Sequence, residues 1–174
     1  MPVISGGVIM PGGLSGYQSA GAPSAGTNEV QTLTIGGTPT AGTFTFTREG
    51  RNTAAITWSA VNATLLAAIN AALDAIGTAG DIVATAGTLT AGIGTVTLTY
   101  GGTLARMAVS TLTATSALTG TAPTLAVAET TPGVDATGRG AAIGAQLTDI
   151  TNGILYINTG TTYAPTWTKV GTQT

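Results

Sequence analysis

Glu29-Val30-Gln31-Thr32-Leu33-Thr34-Ile35-Gly36-Gly37-Thr38-Pro39-Thr40-Ala41-Gly42-Thr43-Phe44-Thr45-Phe46 alternates Thr with apolar residues, the period of a β-strand with one buried face. Residues 30–35 and 43–47 read as two strands. The Gly36-to-Gly42 segment between them reads as a loop of turn formers. Phe44 and Phe46 share one side of the second strand, and Thr43, Thr45 and Thr47 share the other. Arg48-Glu49-Gly50-Arg51-Asn52 is the polar tip of a hairpin. It leads to a third strand at 53–59, with Ala54, Ile56 and Trp58 facing inward. Three strands in series predict an antiparallel meander.

Downstream, Val61, Leu65, Ile69, Leu73 and Ile76 recur every three or four residues and predict an amphipathic helix over 62–76. Asn62 is the expected N-cap and Gly77 the expected stop. The far face of this helix, mostly Ala with Asn70 and Asp74, is small and weakly polar. A second β series follows at 81–86, 94–100, 106–114 and 124–129. Gly87-Thr88-Leu89-Thr90-Ala91-Gly92 echoes Gly37-Thr38-Pro39-Thr40-Ala41-Gly42, which fits either a β-β repeat or shared low complexity. The fold class expected is α+β, predominantly β, with antiparallel sheets in the order β-β-β-α-β-β-β. The expected core is Leu33, Ile35, Phe44, Phe46, Ile56, Trp58, Leu65, Ile69, Leu73, Val96 and Leu98.

Three segments are expected: an extended Gly/Ser/Ala-rich N-terminal arm at 1–28, a β-rich domain at 29–131, and a small C-terminal β module at 132–174. The arm carries scattered apolar points (Val3, Ile4, Val8, Ile9 and Tyr17 among them) and too little else to bury a core. The module, with strands at 146–149, 154–158 and 167–170, is too short to fold alone. It nevertheless holds Tyr156, Tyr163 and Trp167, so it is expected to gain its core from another chain or from the preceding domain, with Tyr156 and Trp167 buried against a neighbour.

Composition narrows function further. Of 174 residues, 43% are hydrophobic, only eight are aromatic, and just twelve are charged (Lys+Arg 5, Asp+Glu 7, net −2). Thr makes up roughly a fifth of the chain, well above its ordinary share. With so few surface charges, much of the surface is expected to be covered by other copies or by another protein. The scattered basic residues Arg48, Arg51, Arg106, Arg139 and Lys169 form no patch for nucleic acid or an anionic membrane. The first ten residues make a poor signal peptide, and no stretch has the length of a membrane span.

Catalysis is not expected. There is no His to activate Ser or Thr, and no Cys, while the acids Glu29, Glu49, Asp74, Asp81, Glu129, Asp135 and Asp149 are far apart and near turns. No Asp/Asn loop has Ca²⁺ spacing. Gly138-Arg139-Gly140-Ala141-Ala142-Ile143-Gly144 lacks the Lys-Ser/Thr and βαβ setting of a nucleotide loop. Neither cofactor nor metal site is expected.

The run from Glu29 to Phe46, the helix segment Val61 to Leu73, and Val96-Thr97-Leu98-Thr99-Tyr100-Gly101-Gly102-Thr103-Leu104-Ala105 together resemble a module of tailed-bacteriophage structural proteins. The segment Leu147 to Gln173 resembles the C-terminal end of phage head decoration and minor capsid proteins. The resemblance brings no catalytic residue. Joined to the composition, it implies a capsid decoration (cement) protein on the outer surface of the virion head, assembled in the host cytoplasm. The partners implied are the major capsid protein and the chain itself, as a homotrimer, with no nucleic acid and no membrane. Val3, Ile4, Val8, Ile9 and Tyr17 are the expected capsid-docking residues. Tyr156, Tyr163 and Trp167 are the expected oligomer interface. Two alternatives stand beside this reading: a phage tail structural module, and a carbohydrate-binding or adhesive module using the same three rings.

Overall fold

A computed structural model of the chain describes residues 8–9 and 15–173. It is α+β and predominantly β. Among the described residues there are eleven strands and one α-helix: β1 (Val8–Ile9), β2 (Ser15–Ser19), β3 (Val30–Arg48), β4 (Arg51–Asn52), β5 (Ile56–Thr57), α1 (Asn62–Ile76), β6 (Ile82–Ala86), β7 (Gly94–Tyr100), β8 (Thr113–Thr131), β9 (Gln146–Asp149), β10 (Ile154–Asn158) and β11 (Trp167–Lys169). A 3₁₀ turn spans Gly102–Leu104. The chain divides into two compact units. One runs over Asn28–Leu104 and Ala108–Pro132; the other joins the N-terminal segment up to Thr27, Ala105–Met107 and the segment from Gly133 onward.

In the first unit β3 is the central strand of a sheet ordered β4-β3-β7-β6, with β5 and β8 also paired to β3. Residues 30–35 of β3 pair with β7, while Phe44 and Arg48 belong to short ladders with β5 and β4. Leu33, Ile35, Phe44 and Phe46 are buried, as the alternation requires. Leu65, Ile69 and Leu73 of α1 are buried in the same unit, as are Val96, Leu98 and Ile56. Each such aliphatic side chain, fully buried, contributes about 1.5–3 kcal/mol relative to exposure. The Phe44 and Phe46 rings meet edge to face at 5.6 Å, the arrangement their quadrupoles favour.

The helix bounds agree with the sequence pattern, but the capping does not. Val61 is the N-cap and makes no side-chain cap bond. The Asn62 side chain instead accepts from Gly92 N at 2.9 Å and donates to Leu89 O at 2.8 Å, fastening the loop before β7. Gly77 does end the helix, in an extended conformation.

The larger correction concerns strand length. β3 is one strand of 19 residues, and the expected loop from Gly36 to Gly42 lies inside it. Its antiparallel partner β8, also of 19 residues, absorbs the expected strand at 124–129 and only the end of the one at 106–114. Turn-forming residues survive in the ladder because the register shifts between Gly36 and Thr38 and between Pro39 and Ala41, as β-bulges do. Gly37 has φ +71°, and a Cβ there would lie 2.1 Å from the Ala122 carbonyl oxygen. Glycine is therefore required at the bulge rather than marking the end of a strand. The predicted meander fails for the same reason: the neighbours of β3 are mainly β7 and β8, brought in from later in the chain. Of the three residues expected to face inward on the third strand, only Ile56 is buried. Ala54 is exposed and Trp58 half-buried, its indole N–H donating to Gly92 O at 2.9 Å.

The second unit holds a sheet ordered β1-β2-β9-β10-β11. All its neighbouring strands run antiparallel except β2 and β9, which are parallel in the register Tyr17 to Leu147. The expected N-terminal arm and C-terminal module are thus parts of one unit, and the described strands of the arm are sheet members. Arg106 Nη1 donates to Pro165 O at 2.7 Å and Arg139 Nε to Ala105 O at 2.9 Å, tying in the short 105–107 excursion.

Candidate functional site

Within the second unit, the ring residues have separate fates. Tyr156 is 6% exposed and lies in the core with Leu147, Ala136 and Ala141. It needs no neighbouring chain to be buried, which corrects its expected place at an oligomer interface and removes it from any exposed three-ring glycan platform. Trp167 is half-buried; its indole N–H donates to Thr137 O at 2.7 Å, and its ring lies 6.1 Å from that of Tyr17, tilted by 57°. Tyr17, expected to dock on a capsid, therefore packs on Trp167 of its own chain. Gly138 (φ +65°) makes this possible, since a Cβ there would stand 2.7 Å from Trp167 Cζ2. Tyr163 is 42% exposed, with the Arg139 guanidinium 5.3 Å from its ring centroid. Val8 and Ile9 form strand β1 against β2. Val3 and Ile4 lie outside the described residues.

Two polar residues hold this unit together, Asn158, which the sequence pattern did not single out, and Asp149, which it placed only near a turn. The Asn158 amide is buried and fully engaged. Nδ2 donates to Ala141 O (2.9 Å) and Ala142 O (3.2 Å), while Oδ1 accepts from Gly160 N (2.9 Å) and Thr166 N (3.0 Å). One side chain thus fixes the loops on both sides of β10. Asp149 accepts from the side-chain amide of Asn152 at 2.7 Å and from the backbone N–H groups of Thr151, Asn152 and Gly21. Chiefly the Asn152 side-chain bond, with the backbone bonds behind it, holds the Asp149 carboxyl below the ordinary carboxylate value, because each bond favours the charged form.

In the first unit, Glu29 and Gln31 are buried neighbours on one face at the start of β3. Gln31 Nε2 donates to Glu29 Oε1 and to Ser110 O. Glu29 Oε2 accepts from Val109 N at 2.8 Å, and Gln31 Oε1 from Leu112 N at 3.0 Å. This clasp orders the segment leading into β8. Asp81 accepts from Thr103 N at 2.7 Å and from the Thr103 hydroxyl, bracing the 3₁₀ turn. Tyr100 is fully buried with its hydroxyl unbonded; burial first, then the nearby Glu29 carboxylate, pushes its titration up. A polar cleft of about 320 Å³ is lined by Arg48, Glu49 and Arg51 with residues of the α1 end, Asp81 and Thr103. Among the described residues no group of three or more Asp, Glu, His or Cys side chains is placed to hold a metal ion, and no helix is long and apolar enough to cross a membrane.

The two sides of the sheet differ sharply. On β6, Ala84 N donates to Asn70 Oδ1 at 2.8 Å and Ala84 O accepts from Asn70 Nδ2 at 3.0 Å. The helix side chain thereby occupies the backbone groups that Ala84 turns away from β7. On the other side, β8 pairs with β3 alone, and its second edge meets no strand among the described residues. Of its 19 residues only Leu118 is buried, and Glu129 is the only charge. The sequence pattern hinted at neither feature, because Asn70 reads as a plain solvent-face residue and β8 as two shorter strands.

The chain matches no protein-family model and no curated protein sequence.

Proposed function

We propose that this chain is a non-enzymatic virion structural protein, a decoration protein that binds the outer surface of a phage capsid and stabilises it. One observation carries the assembly part of this reading: β8, a 19-residue strand that is almost uncharged and exposed along nearly its whole length. Monomeric proteins blunt long sheet edges with Lys, coverings or short strands. A strand left open in a chain with 7% charged residues suits a protein whose surface is completed by other subunits. The capsid assignment itself rests on the sequence resemblance of 29–46, 61–73, 96–105 and 147–173 to phage structural proteins.

The mechanism follows from linkage. A protein that binds only the assembled shell shifts the equilibrium away from dissociated subunits, and multivalent attachment multiplies individually weak contacts. The test is co-sedimentation of purified protein with empty capsids lacking it. Saturable binding with a raised temperature of capsid disruption is expected. Binding to isolated tails and none to capsids would move the chain to the tail, and binding to neither would reject the virion reading.

A further inference from the structure

We infer that the Asn152-Gly153 step is a site of spontaneous deamidation, that Asp149 holds it shut in the folded unit, and that its conversion undoes the Asp149 contacts fastening β2 beside β9. The backbone nitrogen that follows an Asn can attack the side-chain amide carbon and close a cyclic imide. Gly in that place has no side chain to hinder the approach. Asn152-Gly153 is the only Asn-Gly step in the chain; every other Asn precedes a residue with a side chain (Glu29, Thr53, Ala63, Ala71 or Thr159). Both residues are exposed, in the loop between β9 and β10, so water, the second reactant, has access.

In the first step the bond from Gly153 N to Asn152 Cγ forms and the Cγ–Nδ2 bond breaks. Ammonia leaves, carrying the Gly153 proton. Water then opens the imide at either carbonyl and gives aspartate or isoaspartate. Three contacts oppose this course, and all end on Asp149. Gly153 N donates to Asp149 O at 2.8 Å, which engages the nitrogen that must lose its proton. Asn152 Nδ2 donates to Asp149 Oδ2 at 2.7 Å and Asn152 N to Oδ1 at 3.2 Å. Closure needs the side chain to turn off its staggered rotamer, and here that side chain is anchored to a carboxylate by a charge-assisted bond.

The product matters because of what else Asp149 holds. Its Oδ1 also accepts from Gly21 N and Thr151 N, each at 3.0 Å. Next to it, Ile150 N donates to Ser19 O at 2.9 Å. The loop therefore fastens the end of β2. A carboxylate at position 152 has no proton to donate to Asp149 and sets a like charge where the amide made a hydrogen bond.

The test is peptide mapping by mass spectrometry of the full chain, held in mildly alkaline buffer with and without denaturing urea. Conversion at Asn152 is expected to be at least about tenfold slower in the native chain. Asp149→Asn keeps one acceptor oxygen and loses the charge; it is expected to speed native conversion about tenfold while tryptophan fluorescence stays that of the folded chain. Equal rates in the native and urea-unfolded parent, or a folded Asp149→Asn converting at the parent's rate, would overturn the proposal. Asn152→Asp imitates the product without altering Asp149 and is expected to speed hydrogen exchange at the Gly21 amide about tenfold. An unchanged Gly21 amide would overturn the proposal even where Asp149→Asn fails to fold.

Discussion

Asn158→Ala is the sharpest perturbation of the second unit. The substitution deletes four hydrogen bonds of 2.9–3.2 Å and leaves two carbonyls and two N–H groups without those partners. The Ala141 carbonyl bond is buried and the other three are partly buried. An orphaned buried polar group costs about 1–3 kcal/mol, and a lost hydrogen bond whose groups regain water about 0.5–1.5 kcal/mol. One of the former and three of the latter give a destabilisation of about 5 kcal/mol, a large share of the 5–15 kcal/mol typical of a whole domain. Urea unfolding followed by tryptophan fluorescence measures it. Carrying Trp58→Phe in both parent and variant leaves Trp167, which sits in the same unit, as sole reporter. A midpoint shift at unchanged m-value corresponding to less than about 1 kcal/mol would show that the Asn158 network does not hold the loops around β10.

The same reporter checks Asp149. Its folded-state titration is depressed, so its stabilisation is complete above the unfolded carboxyl value near 3.9 and disappears as pH falls through the lower folded value. Parent protein should lose stability on acidification below about pH 4, whereas Asp149→Asn should show a flatter dependence there; parallel curves would remove Asp149 from the acid response. In the first unit, Gln31→Leu strands the Leu112 N–H and the Ser110 carbonyl and is expected to cost about 2–4 kcal/mol, read from Trp58 fluorescence in a Trp167→Phe background. Asn70→Ala should cost about 2 kcal/mol and speed hydrogen exchange at Ala84; unchanged exchange there would mean that Asn70 does not cover the β6 edge. Gly138→Ala, which brings a methyl within 2.7 Å of Trp167 Cζ2 at a positive φ, should abolish the near-ultraviolet dichroism of the Tyr17–Trp167 pair.

Much of the fold was legible because burial imposes period. Leu33, Ile35, Phe44 and Phe46 on β3, and Leu65, Ile69 and Leu73 on α1, are buried as their spacing requires. The helix bounds and those of β7, β9 and β10 follow from the same patterns. What the pattern hid was decided by partners distant in sequence. Glycines at 36, 37 and 42 look like turns until β8 lies alongside and the register slips around them. A short aromatic-rich tail looks dependent on another chain until β2 is found beside β9 and Tyr17 against Trp167. The polar residues that matter most, Asn158, Asn70 and Gln31, leave no periodic signal, since each reaches at least one backbone group 14 or more residues away. Of the expected site residues, Tyr163 is the exposed ring, Trp167 is half-buried on Tyr17, and Tyr156 is internal.

The central claim is that this chain is an external component of a phage head. A reconstruction of the intact particle that produces it tests this most directly. Density fitted by the β3–β8 sheet unit, standing on the outer capsid surface in contact with the major capsid protein, is the result expected. Density for the chain confined to the tail, or its absence from the particle, would contradict the claim.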